Sequence, residues 1–217
     1  FWHSDTHLGY DWRLQKAKET DFNFCCQLRA VEEFKRDGIQ DPIWMPHAVE
    51  PMAYPYTPSI KRYDVCFVGH INSENRTEAL DKLFKELPNF FYGQRLFEEA
   101  ASKYCESKIV FNISMKDDIN MRVFEVLATK SFLLTNDIPT LHELFDDGVH
   151  LAMYKDLDDM IDKARYYINH DDERERIAQA GYDEVLRNHT FRNRVEKVLE
   201  VTGLMSKLKE EVAHGSI

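Results

Sequence analysis

Residues 120–143 read NMRVFEVLATKSFLLTNDIPTLHE, and this stretch decides the fold of the chain. It begins with a predicted helix of about ten residues, on which Arg122 and Glu125 lie one turn apart and therefore share a face. The apolar run 131–135 has the length of a strand, and Pro139 then begins another helical turn that ends at Glu143. A helix, a strand and a new helix with charged residues at their junctions are typical of the nucleotide-binding edge of an α/β sheet.

The residues around this stretch alternate between strand and helix patterns. We predict strands at 63–68, 89–92, 108–113 and 149–154, and helices at 74–87, 96–104, 157–168 and 171–186. Short alternation of this kind predicts parallel pairing through right-handed crossovers. Residues 63–190 are therefore predicted to form an α/β domain with a complete, doubly wound, Rossmann-type parallel sheet.

The first 50 residues show the same alternation on a smaller scale. We predict strands at 1–3, 22–26 and 43–45 and helices at 12–19 and 28–36, which form the C-terminal part of a second Rossmann-like domain. Residues 51–62 contain three prolines and are predicted to be a semi-rigid interdomain linker. A last helix is predicted from Phe191 to about Val212 within residues 191–217, and a return to the N-terminal domain is one option for it. The chain starts inside a predicted strand without Met, so we expect an upstream region to be missing.

Composition limits the classes of function. With 217 residues, 43% of them hydrophobic, the chain can bury a sizeable core. Its net charge of −10 and the lack of a Lys/Arg run argue against a nucleic-acid partner. The sequence contains no apolar run long enough for a membrane span and no visible signal peptide, so we expect a cytoplasmic protein. The sequence does not predict its oligomeric state. Four cysteines without zinc-site spacing are predicted to be buried free thiols: Cys25, Cys26, Cys66 and Cys105.

Ligands of open α/β sheets bind beyond the carboxyl ends of the strands, where three predicted loops lie. These loops are residues 69–73, 114–120 and 136–140. Gly69 would let a phosphate approach the backbone, Arg122 could pair with a diphosphate, and Glu125 could accept both hydroxyls of a ribose. The structural alternatives are a strand-end glycine, a surface arginine and an exposed helical glutamate.

Paired carboxylates and loop histidines are further candidates for chemistry. The pairs 117–118, 146–147 and 158–159 could hold Mg²⁺ or Mn²⁺, but each precedes or opens a helix or turn, so we predict capping and no metal site. His3, Asp5 and His7 could supply a general base, although a loop histidine is more often simply exposed to solvent.

Several short motifs occur in a fixed order along the chain. They are YDVCFVGH at 63–70, NxRxFExxA at 120–128, FLLTN at 132–136 and HELF at 142–145, preceded by WxxD at 2–5, Glu32, WxPHA at 44–48 and Pro51. In this order the motifs resemble group 1 glycosyltransferases, specifically their CgeB-like branch. The resemblance covers nearly the whole chain, and the order of the motifs is more specific than any single motif.

The resemblance implies a GT-B-like enzyme, in which two Rossmann-like domains face each other across a cleft. Such an enzyme, here hexosyltransferase-like, transfers a sugar from a nucleoside-diphosphate sugar to an acceptor, which could be a glycan, a protein or a small molecule. Glu125 resembles the ribose-binding glutamate, Arg122 a phosphate-facing position, and Gly69 and His70 the loop near the diphosphate. The full donor-binding set implied is Gly69, His70, Asn120, Arg122, Glu125, Asn136 and Glu143. His3, Asp5 and His47 are the catalytic candidates, and neither a metal nor a cofactor is implied.

The sequence also departs from the family pattern. Many relatives carry a further acidic residue eight positions before the ribose-binding glutamate, and in this chain that position is Asp117. The family usually has a small residue and a glycine after the helix that carries the glutamate. This chain has Thr129 and Lys130 there, which would place a cation on the side of the sugar. Lys130 could then help to stabilise a departing diphosphate.

Two other classes of function stay open. A dehydrogenase-like enzyme is disfavoured because no GxGxxG follows a strand. A non-catalytic GT-B-like module that binds a nucleotide or a protein is favoured by the short N-terminal part and by Lys130, whereas the presence of Arg122 and Glu125 counts against it.

Overall fold

The computed structural model describes residues 1–115 and 118–206, which form two compact units. The first unit contains residues 1–48 together with the described residues from Thr190 onward, and the second contains residues 49–189. Asp117 and the predicted end of the last helix, residues 207–212, lie outside the described residues.

Strands and helices alternate through both units. The strands are β1 Trp2–His3, β2 Phe24–Cys25, β3 Ile43–Trp44, β4 Tyr63–Val68, β5 Phe90–Gly93, β6 Ser107–Asn112, β7 Leu133–Asn136 and β8 Ala152–Tyr154. The α-helices are α1 Tyr10–Lys18, α2 Leu28–Arg36, α3 Glu74–Glu86, α4 Phe97–Cys105, α5 Met121–Ala128, α6 Leu157–Ile168, α7 Asp171–Asn188 and α8 Phe191–Val201. A 3₁₀ helix occupies Pro139–Glu143.

The second unit is built on a five-stranded parallel sheet with the strand order β5-β4-β6-β7-β8. The central residues of β4 and β6, 65–68 and 109–111, are apolar and buried on both faces because helices cover both sides of the sheet. On one face, Val65, Phe67 and Ile109 belong to a core cluster that α3 and α6 complete. Helices α4 and α5 contact the sheet as well and cover the other face. The predicted doubly wound, Rossmann-type sheet is therefore confirmed.

Helix α7 packs closely on the rest of the second unit at one glycine. A methyl group at Gly181 would overlap with the carbonyl oxygen of His150 and lie 2.8 Å from a methyl carbon of Leu127. A side chain at this position would therefore force α7 away from the loop that precedes β8 and from α5.

The first unit has a smaller parallel sheet with the order β1-β2-β3. Phe34 and Cys25 lie in its core cluster, where α1 and α2 cover the sheet. Helix α8 begins with a capping box formed by Thr190 and Asn193. Its Arg194 donates hydrogen bonds to the carbonyl oxygens of Pro46 (2.9 Å) and His47 (3.0 Å), which follow β3. The predicted partial Rossmann-like unit is confirmed, and α8 is attached to it.

Several boundaries differ from the predicted ones. The strands of the first unit contain two residues each, and β8 begins at Ala152 because the backbone N–H groups of Val149 and His150 bond to the carbonyl oxygen of Asp146 instead of to a strand. The proline-rich segment 51–62 is grouped with the second unit, where Tyr54 is buried. The three prolines of that segment predicted the lack of regular secondary structure, but nothing in its sequence predicted that Tyr54 would be buried.

The four cysteines are all buried, and none of them forms a disulfide with another described residue, as predicted. Among the described residues, no helix is both long enough and apolar enough to cross a membrane.

Candidate functional site

A cavity of about 480 Å³ opens beyond the carboxyl ends of β4, β5 and β6 in the second unit. The strand order reverses here, since β5 and β6 lie on opposite sides of β4, and such switch points are where parallel sheets bind ligands. Five of the seven predicted donor-binding residues line it: Gly69, His70, Asn120, Arg122 and Glu125.

Arg122 lies in the first turn of α5 and extends over the end of β4. Its guanidinium carbon is 5.0 Å from the centre of the Phe67 ring, and its Nη1 donates to Oδ1 of the fully buried Asn112 at 3.0 Å. A methyl group at Gly69 would overlap with the guanidinium, so the glycine is what lets the arginine lie against the strand end.

Arg76 brings a second guanidinium to the same cavity, and its sequence context carried no sign of this role. It lies in the first turn of α3 and is 8% exposed. Its nitrogens donate to the carbonyl oxygens of His70 (2.8 Å) and Ile113 (3.2 Å) and to Asn72 Oδ1 (2.8 Å). Burial, and then the charge of Arg122, lower the pKa of Arg76. Two guanidinium groups with one half-buried carboxylate nearby favour the binding of an anion.

Asn112 and Asn120 connect the ends of β6, α5 and β7. Asn112 Oδ1 accepts from Arg122 and from Asn120 Nδ2 (3.1 Å), while its Nδ2 donates to Thr135 Oγ1 at 3.0 Å. Asn120 Oδ1 and Arg76 Nε are buried and have no hydrogen-bond partner within the described part of the chain. Buried polar atoms without partners are uncommon, and both of these residues line the cavity.

Glu125 faces the same cavity one turn after Arg122. Tyr54, from the proline-rich segment, donates its hydroxyl to Glu125 Oε1 at 2.9 Å. Burial raises the pKa of Glu125, while the Tyr54 hydrogen bond and the charge of Arg122 oppose that rise. The other carboxylate oxygen can accept hydrogen bonds from a ligand that carries hydroxyl groups.

A third loop completes the cavity on the side of β5. Gln94, Arg95 and Leu96 line it, and the next residue, Phe97, has a left-handed φ of 51° at the start of α4. The Phe97 ring lies 6.0 Å from the ring of Tyr54. No periodic or motif signal marked this loop, because exposed residues between a strand and a helix carry no pattern.

Two donor-binding candidates do not line this cavity. Asn136 instead holds the Ser114 backbone, accepting from its N–H at 2.6 Å and donating to its carbonyl oxygen at 3.2 Å. Glu143 is exposed at the end of the 3₁₀ helix. Lys130, which the resemblance put on the sugar side, lines a different cavity, because the turn after α5 lies at the amino end of β7.

The catalytic candidates all belong to the first unit. His3 is completely buried, with its Nε2 2.8 Å from Asn23 Oδ1 and its ring packed on Phe34, and burial lowers its pKa. A side chain enclosed in this way cannot contact a substrate, so the structure does not support a general base at His3. Asp5 is exposed with a left-handed φ of 47°. His47 is half-buried, its Nδ1 3.8 Å from Cys26 Sγ, and burial lowers its pKa.

The paired carboxylates take local roles in turns and helix starts. Asp147 accepts the N–H of Met153 at 2.7 Å, and Asp159 accepts the N–H of Lys155 at 2.9 Å. Asp158 pairs with Lys82. Of these contacts, only that of Asp159, which accepts an N–H just before α6, is of the predicted capping kind. The N-cap residue of α6 is Asp156, which lies outside the three pairs, and Asp117 lies outside the described residues.

Comparisons with known proteins agree with the motif order. A family model described as "Glycosyl transferase-like" matches residues 74–200. Over 72 residues the chain is 36% identical to the spore protein CgeB of Bacillus subtilis (strain 168), a match that covers 33% of this chain and 21% of that protein. The resemblance to CgeB-like group 1 glycosyltransferases is confirmed. The chain spans about a fifth of the length of that curated relative.

Solved structures share the fold at low identity. The structure of Anabaena Alr3699/HepE in complex with UDP and glucose has a TM-score of 0.69 and 8% identity, covering 94% of this chain and 70% of that one. The pneumococcal O-GlcNAc transferase GtfA, in complex with UDP and GlcNAc, has a TM-score of 0.63 and 15% identity, covering 94% and 48%. TarM has a TM-score of 0.67 and 11% identity, covering 88% and 45%. The predicted GT-B-like fold class is confirmed.

Proposed function

Because this chain belongs to the glycosyl transferase-like family, we propose that it takes part in sugar transfer from a nucleoside-diphosphate sugar to an acceptor. The observation that carries the proposal is the joint placement of two guanidinium groups, Arg76 and Arg122, with the carboxylate of Glu125 in one cavity. The nucleotide part of such a donor combines a diphosphate diester, which carries two negative charges, with the vicinal diol of a ribose, and these three side chains match both parts of it.

The guanidinium groups would stabilise the leaving group. When the bond between the sugar and the diphosphate breaks, negative charge grows on the diphosphate oxygens. Fixed cations at that position lower the energy of the transition state more than that of the ground state. Arg122 is held by Asn112 and Phe67 and Arg76 by three acceptors, so neither has to reorganise during the reaction. We propose transfer without a divalent metal on this basis.

Glu125 would bind the ribose. A single carboxylate can accept hydrogen bonds from both hydroxyls of a vicinal diol, and burial strengthens such bonds. Tyr54 holds Oε1 of this carboxylate and so fixes its orientation toward the cavity. The bound UDP and sugars named for the Anabaena and pneumococcal structures make UDP-hexoses the first donors to test.

Thermal unfolding with a panel of nucleoside diphosphates tests the donor site. We expect at least one of UDP, GDP, ADP and CDP to raise the melting temperature of the chain, and Glu125→Ala to abolish that shift. Glu143→Ala is the matched control, because Glu143 is exposed and does not line the cavity, and it should keep the shift. The donor-site proposal fails if no diphosphate stabilises the protein, or if both variants respond as the wild type does.

A second measurement separates an enzyme from a binding module. The nucleotide sugar of the best diphosphate is incubated with the chain, and the release of nucleoside diphosphate is followed. Release that Arg122→Gln abolishes supports transfer or hydrolysis. Tight binding without release would support a nucleotide-binding module in place of an enzyme.

A further inference from the structure

A second cavity, of about 420 Å³, lies at the opposite edge of the same sheet. Lys61, which precedes β4, and Lys130, which precedes β7, both line it, so it lies at the amino ends of the parallel strands. Tyr56 and Glu175 are also in its lining. Its size falls within the range of small-molecule sites. The donor site proposed above uses none of these residues.

Lys130 is held in a backbone conformation that glycine adopts far more easily. Its φ is 53°, in the left-handed region, at the turn that follows α5. Such strain in a residue with a long side chain is a reason to look for a function of that side chain. The Lys130 ammonium lies 5.3 Å from the centre of the Tyr56 ring, so the side chain is directed along the cavity wall.

Lys61 brings a second ammonium group to the same wall. Its Nζ donates to the carbonyl oxygen of Cys105 at 2.9 Å. Neither Lys61 nor Lys130 forms an ion pair with a carboxylate of the described residues, although the chain as a whole carries a net charge of −10. Two unpaired cations in one cavity are unusual on so acidic a protein.

We propose that this second cavity binds a small molecule with a phosphate monoester, held between the ammonium groups of Lys61 and Lys130. A phosphate monoester carries between one and two negative charges near neutral pH, which two ammonium groups match. The single carboxylate of the lining, Glu175, would accept a hydrogen bond from a hydroxyl group of the same molecule. The site is separate from the donor cavity and can be occupied together with it.

Titration of the full chain with inorganic phosphate and with glycerol 3-phosphate, followed by phosphorus NMR, tests the proposal. The titrations use the Arg122→Gln background, so that phosphate binding at the donor cavity is suppressed. We expect saturable binding of both probes, and Lys61→Met and Lys130→Gly should each weaken it by about ten-fold or more. Lys155→Met, which removes an exposed lysine outside the cavity, should leave the affinity within about two-fold.

A variant that is expected to bind phosphate more tightly controls for the possibility that the lysine variants lose binding only because they fail to fold. Glu175→Gln removes the one negative charge of the lining and should tighten inorganic phosphate binding by about three-fold, an effect that rising salt should reduce. The proposal is overturned if no probe binds saturably in the Arg122→Gln background. It is equally overturned if the lysine variants bind as tightly as the Lys155→Met control, or if Glu175→Gln does not strengthen binding. Loss of diphosphate binding at the other cavity would leave these outcomes unchanged.

Discussion

The guanidinium of Arg122 occupies the space that a side chain at Gly69 would need. A methyl group at position 69 would overlap with Nη2 and lie 3.0 Å from Cζ of Arg122. The clash is with the far end of a flexible side chain, so Gly69→Ala should displace the guanidinium; the φ of 155° at this position also makes any side chain there strained. We expect about a ten-fold loss of nucleoside diphosphate affinity by calorimetry, together with a loss of about 1–3 kcal/mol in the free energy of unfolding from the backbone strain.

A double-mutant cycle is the control for this prediction. If Gly69→Ala acts through the arginine, it should cost little further affinity in an Arg122→Gln chain. Equal losses in both backgrounds would mean that Gly69 contacts the ligand directly or supports the loop in another way.

Asn112 is predicted to support both stability and binding. It is fully buried and bonds to Arg122, Asn120 and Thr135, so Asn112→Ala leaves several polar groups without a partner. We expect the free energy of unfolding in urea to fall by about 2 kcal/mol, and diphosphate affinity to fall with it. Asn89→Ala, at an exposed asparagine, should change the unfolding free energy by less than about 0.5 kcal/mol. Similar values for the two variants would refute the role given to Asn112.

The pKa of Glu125 predicts a dependence of stability on pH. Burial raises this pKa above its ordinary value of 4.5. At pH values between the unfolded-state pKa and the higher folded-state pKa, the folded chain therefore binds more protons than the unfolded chain. The contribution of Glu125 to stability is therefore present at low pH and is lost as pH rises through the folded-state pKa. Glu125→Gln lacks this titration, so its stability relative to wild type should increase from about pH 4 to about pH 7. Urea unfolding across that range measures it, and a constant or decreasing difference would contradict the prediction.

The close packing of α7 gives a prediction about the fold alone. Gly181→Ala places a methyl group against the carbonyl oxygen of His150 and beside Leu127. One neighbour is a backbone atom and the other is the fully buried Leu127, so neither can move aside easily. We therefore expect a loss of about 1–3 kcal/mol in the free energy of unfolding. Ala178→Gly, three residues earlier on the same helix, should cost about 1 kcal/mol through helix propensity and lost packing. A Gly181→Ala chain as stable as wild type would show that this packing is looser than described.

The sequence predicted the sheet and part of the site because both depend on local patterns. Apolar runs identified β4 and β6, and the one-turn spacing of Arg122 and Glu125 placed both side chains on one helix face. Arg76 was missed because an arginine in the first turn of a helix looks like any surface residue, and only the fold brings it beside Arg122.

The predictions that differ from the structure concern residues whose positions depend on contacts between distant parts of the sequence. The sequence places His3 at the end of a strand, where it could serve as a general base, but Phe34 and Asn23 enclose its ring in the first unit. Lys130 follows the helix that carries Arg122, yet eight residues of helix carry the chain to the other edge of the sheet. Tyr54 lies in a segment whose prolines predicted a linker, and its contact with Glu125 joins residues 71 positions apart. Contacts over such separations leave no periodic signal.

The affinity of the best-stabilising nucleoside diphosphate for guanidinium variants tests the central claim most directly. Calorimetry compares the wild type with Arg76→Gln and Arg122→Gln, and with Arg165→Gln, an exposed arginine paired with Glu86 outside the cavity. We predict a loss of at least about ten-fold for each cavity variant and a change below about two-fold for Arg165→Gln. Unchanged affinity in both cavity variants would contradict the assignment of this cavity to the diphosphate.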